Sequence, residues 1–142
     1  RRGCWEAYAS ATGLIESTKE AMRANPASQL WKLAEGELGN VNGRTAFDGM
    51  RAGDETGRQV VCEYIEALAT GLTNIINIFQ PDLISLAGGI SKEGDTLLTP
   101  LKEIVDREDY ARFGSQRAHL TIAKLGNDAG VIGAALLGVT KE

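Results

Sequence analysis

The chain is poor in the residues that build covalent or metal frameworks. Two cysteines, Cys4 and Cys62, and one histidine, His119, stand among 142 residues. Two thiols are too few for a disulfide framework and fit a reducing compartment, so a cytoplasmic setting is expected. Cys62 falls inside a strongly helical stretch and reads as a small core residue. His119 has no carboxylate or nucleophile close by in sequence, which leaves it a structural or surface role rather than that of a general base. No apolar run approaches the roughly 20 residues that cross a bilayer. The chain opens Arg1-Arg2-Gly3 without an initiator Met, so no signal peptide is expected in it and the expectation is a fragment or a trimmed chain. Positive charge is not in excess either: 15 Lys and Arg against 19 Asp and Glu give a net charge of −4. A mildly acidic domain is not built to neutralise a phosphate backbone. Internal repeats, low-complexity segments, the Walker phosphate loop and the dinucleotide fingerprint are all missing.

What is present is enough apolar material for one core: 43% of the residues are hydrophobic. Residues 4–24 are good helix formers and stop before Asn25-Pro26, with Gly13 expected to split them into two helices. Ser28 is expected to cap a short helix over 29–35, and Thr45 another ending near Gly53. The strongest signal lies at 55–79. Val61, Ile65, Leu68, Leu72, Ile75 and Phe79 recur at spacings of three and four, the stripe of a core-facing helix closed by Gln80-Pro81. Residues 82–86 form an apolar strand, 97–107 a helix with Pro100 near its first turn, and 118–124 a second strand. The last helix runs over 129–137, with Asn127 or Asp128 as its cap and small residues that permit close packing on the sheet. Strand, crossover helix, strand, helix predicts a parallel pair in an α/β layer. The first third of the chain then packs around it as helices. The mixed charges over 102–112 read as a solvated helix face. Trp5 and Trp31 are expected to pack, and Ser10, Ser85 and Ser91 lie in no nucleophile-elbow pattern.

The chemical feature is a repeated one. The first strand runs into Ala87-Gly88-Gly89-Ile90, and the second into Leu125-Gly126-Asn127-Asp128-Ala129-Gly130. Ligands of parallel sheets bind at the carboxyl ends of strands. Glycine admits a ligand against bare backbone, and a helix start offers free N–H groups. Two such turns on neighbouring strands suit the walls of a nucleotide cleft. Taken singly, each is equally well an ordinary turn.

Together these stretches resemble the ROK family of bacterial sugar kinases, open-reading-frame proteins and repressors. Residues 1–10, with Gly3-Cys4-Trp5-Glu6, look like the tail of the family signature Cys-x-Cys-Gly-x-x-Gly-Cys-x-Glu. Residues 81–91 are similar to the family's strand and glycine turn, with Ala87 where a third glycine is common. Residues 125–135 look like its closing Leu-Gly-x-x-Ala-Gly-x-x-Gly-Ala-Ala segment. The resemblance covers essentially the whole chain. It implies the C-terminal lobe of an actin-like (ribonuclease H-like) ATPase fold over residues 1–142, helix-rich with a small, partly parallel sheet. It further implies transfer of the γ-phosphoryl of Mg-ATP to the 6-hydroxyl of glucose or a related hexose.

In that frame Glu6 accepts hydrogen bonds from sugar hydroxyls. Gly88, Gly89, Gly126, Ala129 and Gly130 face the nucleotide. Cys4 is the last of four ligands of a structural zinc, whose other three lie outside this sequence. The family's phosphate-binding Asp-x-Gly-Gly-Thr segment and its catalytic aspartate do not occur here. The expectation is therefore an isolated half-site, inactive and without zinc of its own. A homodimer is the expected assembly. The alternative within the family is the sugar-sensing part of a repressor, which would meet DNA through a separate upstream helix-turn-helix.

Overall fold

A 25-residue helix, α5 (Glu55–Phe79), is the spine of the molecule. The structure, a computed structural model, describes residues 3–111, 113–114, 117–125 and 128–137. Ahead of α5 come α1 (Glu6–Ala9), α2 (Ala11–Ala24), α3 (Leu30–Leu33) and α4 (Thr45–Arg51). After it come strand β1 (Leu83–Leu86), helix α6 (Asp95–Glu108), strand β2 (His119–Ile122) and helix α7 (Ala129–Leu136).

The stripe predicted for α5 is largely the buried one: Val61, Ile65, Leu68 and Leu72, with Ile76 beside them, share one core with Leu14 of α2, Phe47 of α4, Leu97, Leu101 and Val105 of α6 and Leu120 of β2. Two members differ. Ile75 is half-buried and Phe79 is 74% exposed. Phe79 stands five full turns from Val61 and so points the same way, but as the last residue of α5 it is left uncovered. Cys62 is exposed, against the core reading. One residue beyond Val61 is a rotation of about 100°, which carries its thiol off the buried face. The helix stops as expected: Gln80 adopts the left-handed conformation (φ 45°, ψ 55°), and Pro81 cannot continue the ladder.

The two strands pair in parallel, Leu83 opposite His119 and Leu86 opposite Ile122, with α6 as the crossover. Pro100 lies in the second turn of α6, which opens at Gly94. A satellite core of Met22, Leu30, Ala34 and Val41 closes over the α2–α4 end.

Glycines inside the helices act by allowing close approach, not by breaking helices. The first helix divides at Ser10, whose hydroxyl accepts from Gly13 N–H at 3.0 Å and so caps α2. A Cβ on Gly13 would stand 2.6 Å from the Ala7 carbonyl oxygen, so glycine is what lets α1 fold back on α2. Likewise α4 lies directly on α5 at Gly57, where a Cβ would meet Ala46 O and Met50 N at 2.9 Å. Ser28 does serve α3, accepting from Leu30 N–H at 3.1 Å, though the helix is only Leu30–Leu33. Thr45 is not the cap of α4; it is already helical and accepts instead from Asn42 N–H at 3.0 Å. Helix α7 does not pack closely on the sheet. A Cβ on Gly130 or Gly133 would meet nothing within 4 Å, and Val131 and Leu137 are exposed. Among the described residues no helix is long and apolar enough to cross a membrane.

Candidate functional site

Two surfaces hold the residues singled out by sequence. The first is built on α1. Trp5, at the N-cap position, lays its indole across α5 and donates Nε1–H to Ala67 O at 2.8 Å. The other end of α1 is held by Tyr64, which donates its hydroxyl to Ala9 O at 3.2 Å. Burial raises the Tyr64 phenol above its ordinary pKa, so it stays a neutral donor there. Between these two anchors Glu6 is exposed in the first turn of α1, at the rim of an open groove of about 590 Å³. Cys4, Ser10, Thr12 and Glu16 also line the groove. Glu16 is occupied, since the ammonium of Lys19 donates to it at 2.8 Å and holds its carboxyl below the usual carboxylate pKa. Glu6 is thus a carboxylate on a braced turn that opens onto solvent. An ionised carboxylate there can accept from two adjacent hydroxyls.

The brace has a sharp requirement. A Cβ on Gly71 would come within 1.9 Å of Trp5 Cε2. Replacing Gly71 with alanine gains about 1 kcal/mol of helix propensity but must evict the indole, at a typical overpacking cost of 1–3 kcal/mol. The expected outcome for Gly71→Ala, in a Trp31→Phe background, is a red-shifted Trp5 emission. A net loss of about 1 kcal/mol should appear in urea melts. Unchanged emission would mean that the indole keeps its seat.

Cys4 is exposed at the same rim. Among the described residues no cluster of three or more His, Cys, Asp or Glu side chains is arranged to hold a metal. One thiolate cannot complete a tetrahedral zinc site.

The second surface lies at the carboxyl ends of the strands. Because β1 and β2 are parallel and in register, both chains leave the sheet at the same edge, and Ala123 N–H still donates to Leu86 O at 2.8 Å beyond the last paired residues. Gly88 follows β1 with φ 86° and ψ −172°, a conformation open essentially to glycine alone. Gly89 then starts a 3-10 turn, Gly89–Glu93. The turn is tied back by Ser91, whose hydroxyl donates to Gly88 O at 2.7 Å and whose N–H does so at 3.2 Å. The N–H groups opening a helical turn have no partner within it, so the backbone at Gly89 can serve an incoming acceptor.

On the β2 side, Gly126 lies outside the described residues. Ala129 and Gly130 form the first turn of α7. Asp128 stands at the N-cap without a side-chain cap hydrogen bond. Among the described residues, neither Gly88 and Gly89 nor Ala129 and Gly130 line the groove beside Glu6. His119 is exposed on β2. Sequence reasoning missed the residues that shape the first turn, namely Ser91, Glu93 and Arg51. Glu93 is buried and paired with Arg51 of α4, 42 residues earlier. No local pattern signals a pair so far apart.

A chain with this parallel βαβ unit, a glycine turn at its carboxyl edge and a Gly-Cys-x-Glu entry to its first helix belongs to the ROK family, whose model matches residues 1–141. Its fold is that of the family's actin-like ATPases. A glucokinase of Halalkalibacterium halodurans is 36% identical over 142 residues, covering all of this chain and 42% of that protein. A glucokinase of Thermotoga maritima is 35% identical over 135 residues, or 94% of this chain and 42% of that one. The crystal structure of a ROK family glucokinase from Streptomyces griseus, in complex with glucose and AMPPNP, superposes with a TM-score of 0.80 at 30% identity, covering 96% of this chain and 45% of that one. More distantly, a xylose repressor of Bacillus subtilis is 26% identical over 133 residues, or 93% of this chain and 30% of that protein. The chain therefore spans less than half the length of the glucokinases it matches.

Proposed function

We propose that this chain is the C-terminal lobe of an ATP-dependent sugar kinase that transfers the γ-phosphoryl of Mg-ATP to the 6-hydroxyl of glucose or a closely related hexose. The observation that carries the reading is the presence in one chain of an exposed carboxylate on a braced turn, Glu6, and a glycine turn at the carboxyl end of a parallel strand. Both occur in a chain whose relatives include glucokinases over its full length.

Glu6 binds and orients the sugar by accepting from neighbouring hydroxyls. Gly88 and Gly89, with Gly126, Ala129 and Gly130 from the second turn, let the nucleotide lie against backbone. Mg-ATP supplies the phosphoryl group and the metal charge that offsets its negative oxygens. Phosphoryl transfer depends mostly on alignment and charge neutralisation, and the aligning aspartate and phosphate loop are not in this sequence. Cys4 contributes one thiolate to a structural zinc whose remaining ligands come from elsewhere. A cytoplasmic homodimer is the setting proposed for the complete enzyme.

The xylose-repressor relatives supply a second reading, a sugar sensor. The kinase reading is preferred because the glucokinases are the more similar relatives, and because a sensor has no need of a glycine-lined nucleotide turn.

In a coupled assay the complete protein should convert glucose and Mg-ATP to hexose 6-phosphate and ADP. The 142-residue chain alone should turn over neither substrate and should retain no stoichiometric zinc after dialysis. Turnover by the lone chain would refute the half-site reading. A complete protein that binds operator DNA and leaves ATP intact would replace the kinase with the sensor.

A further inference from the structure

The turn that follows β1 is held by more than its glycines. Ser91 and Glu93, both in the 3-10 turn Gly89–Glu93, are buried, and the Glu93 side chain is only 3% exposed. A carboxylate this deep needs a charged partner. Its partner is the Arg51 guanidinium, at the last residue of α4, whose other edge donates to Asp48 at 2.7 Å on the same helix. Asp48 and Glu93 together fix the guanidinium plane. Helix α4 in turn lies against α5 at the backbone contact of Gly57, so it is a rigid mount. The far end of the turn is set by Gly94, again in a glycine-only conformation (φ 57°, ψ −131°). Two glycines give this segment freedom at each end. Ser91 and the Glu93–Arg51 pair remove that freedom from the middle.

We propose that Arg51, acting through Glu93, is a positioning residue that holds the Gly88–Gly89 turn in its nucleotide-facing shape, an inference that rests on the nucleotide reading of that turn. Nothing places Arg51 on the ligand. Its effect is to pre-order the backbone, so that binding need not freeze a loose loop. Loss of the pair should therefore weaken nucleotide binding selectively and leave the sugar groove on α1 as it is.

The test has two arms, each run on Arg51→Met and on Glu93→Gln. The second variant keeps a hydrogen-bonding partner for Arg51 and leaves no buried unpaired charge, so it remains informative if the first folds poorly. In the 142-residue chain, amide hydrogen exchange at Ser91, whose N–H bonds to Gly88 O, should quicken about tenfold or more while the Leu68 amide in the middle of α5 is unchanged. In the complete protein the KM for ATP should rise about tenfold, with the KM for glucose and kcat at saturating ATP held. Unchanged exchange at Ser91, or an equal rise at Ser91 and Leu68, overturns the proposal in favour of no role or a general stabilising one. Equal rises in both KM values overturn it as well. If the wild-type complete protein does not use ATP, the nucleotide reading falls, and the exchange arm still decides whether the pair holds the turn.

Discussion

Asp54→Ala should lower the unfolding free energy by about 3–5 kcal/mol, enough to remove a large share of a typical domain's 5–15 kcal/mol. The reason is the number of donors that this one buried carboxylate serves. Its Oδ1 accepts from Gly57 N–H at 2.7 Å and caps α5. Its Oδ2 accepts from Gln29 N–H at 2.7 Å, and both oxygens receive the Ser28 hydroxyl at 3.1 Å. Through Ser28 and Gln29 it therefore also caps α3. Losing the α5 cap costs about 1 kcal/mol. Stranding the buried Ser28 hydroxyl and the part-buried Gln29 N–H costs about 1–2 kcal/mol each. Asp54→Asn keeps one acceptor oxygen but turns an NH2 group toward donors, so its loss should fall between wild type and alanine. Urea melts of the three proteins check the order. A loss under 1 kcal/mol for alanine would mean that water replaces the carboxylate, and the hub would then have no energetic weight.

Asp54 also marks the limit of what the sequence made legible. The helix it caps could be read almost to the residue, because a three-and-four apolar spacing is local and Pro81 is an unambiguous stop. The parallel pair followed from two apolar runs separated by a helix-length crossover. The partners of Asp54 lie 26 and 25 residues back, at Ser28 and Gln29, where no spacing rule reaches. The glycines misled for a related reason. Locally Gly13 reads as a helix breaker, and only the returning backbone of Ala7 reveals that it makes room. Cys62 failed because composition says that free cysteines are buried, whereas the helix phase decides which way this one points. On the site, the glycine turn was visible as Gly-Gly after a strand, and Glu6 became visible only through a motif. Arg51 and Glu93 were not visible at all, since an ion pair between an early helix and a late turn has no signature before the fold exists.

Glu6→Gln should reduce kcat/KM for glucose by about 10²-fold or more in the complete protein while the melting temperature stays within a degree or two. Stability is spared because Glu6 is exposed and its turn is held by Trp5 and Tyr64 on either side of it. Binding suffers because hydrogen bonds to an ionised acceptor are worth about 1.5–3 kcal/mol each, and every 1.4 kcal/mol is tenfold. Glutamine keeps one acceptor oxygen and offers an amide in place of the other. A carboxylate that bridges two hydroxyls thus loses one charge-assisted bond outright and has the second weakened. The loss should appear in the KM for glucose and leave the KM for ATP alone, the converse of the pattern expected at Arg51. Deoxy sugars sharpen the test. A sugar lacking a hydroxyl that Glu6 engages should be a poor substrate for the wild type, yet lose much less relative to glucose in Glu6→Gln, because the bond that hydroxyl made is already lost or weakened there. If the variant discriminates against the deoxy sugars as strongly as the wild type does, the carboxylate at the rim of the α1 groove does not touch the sugar.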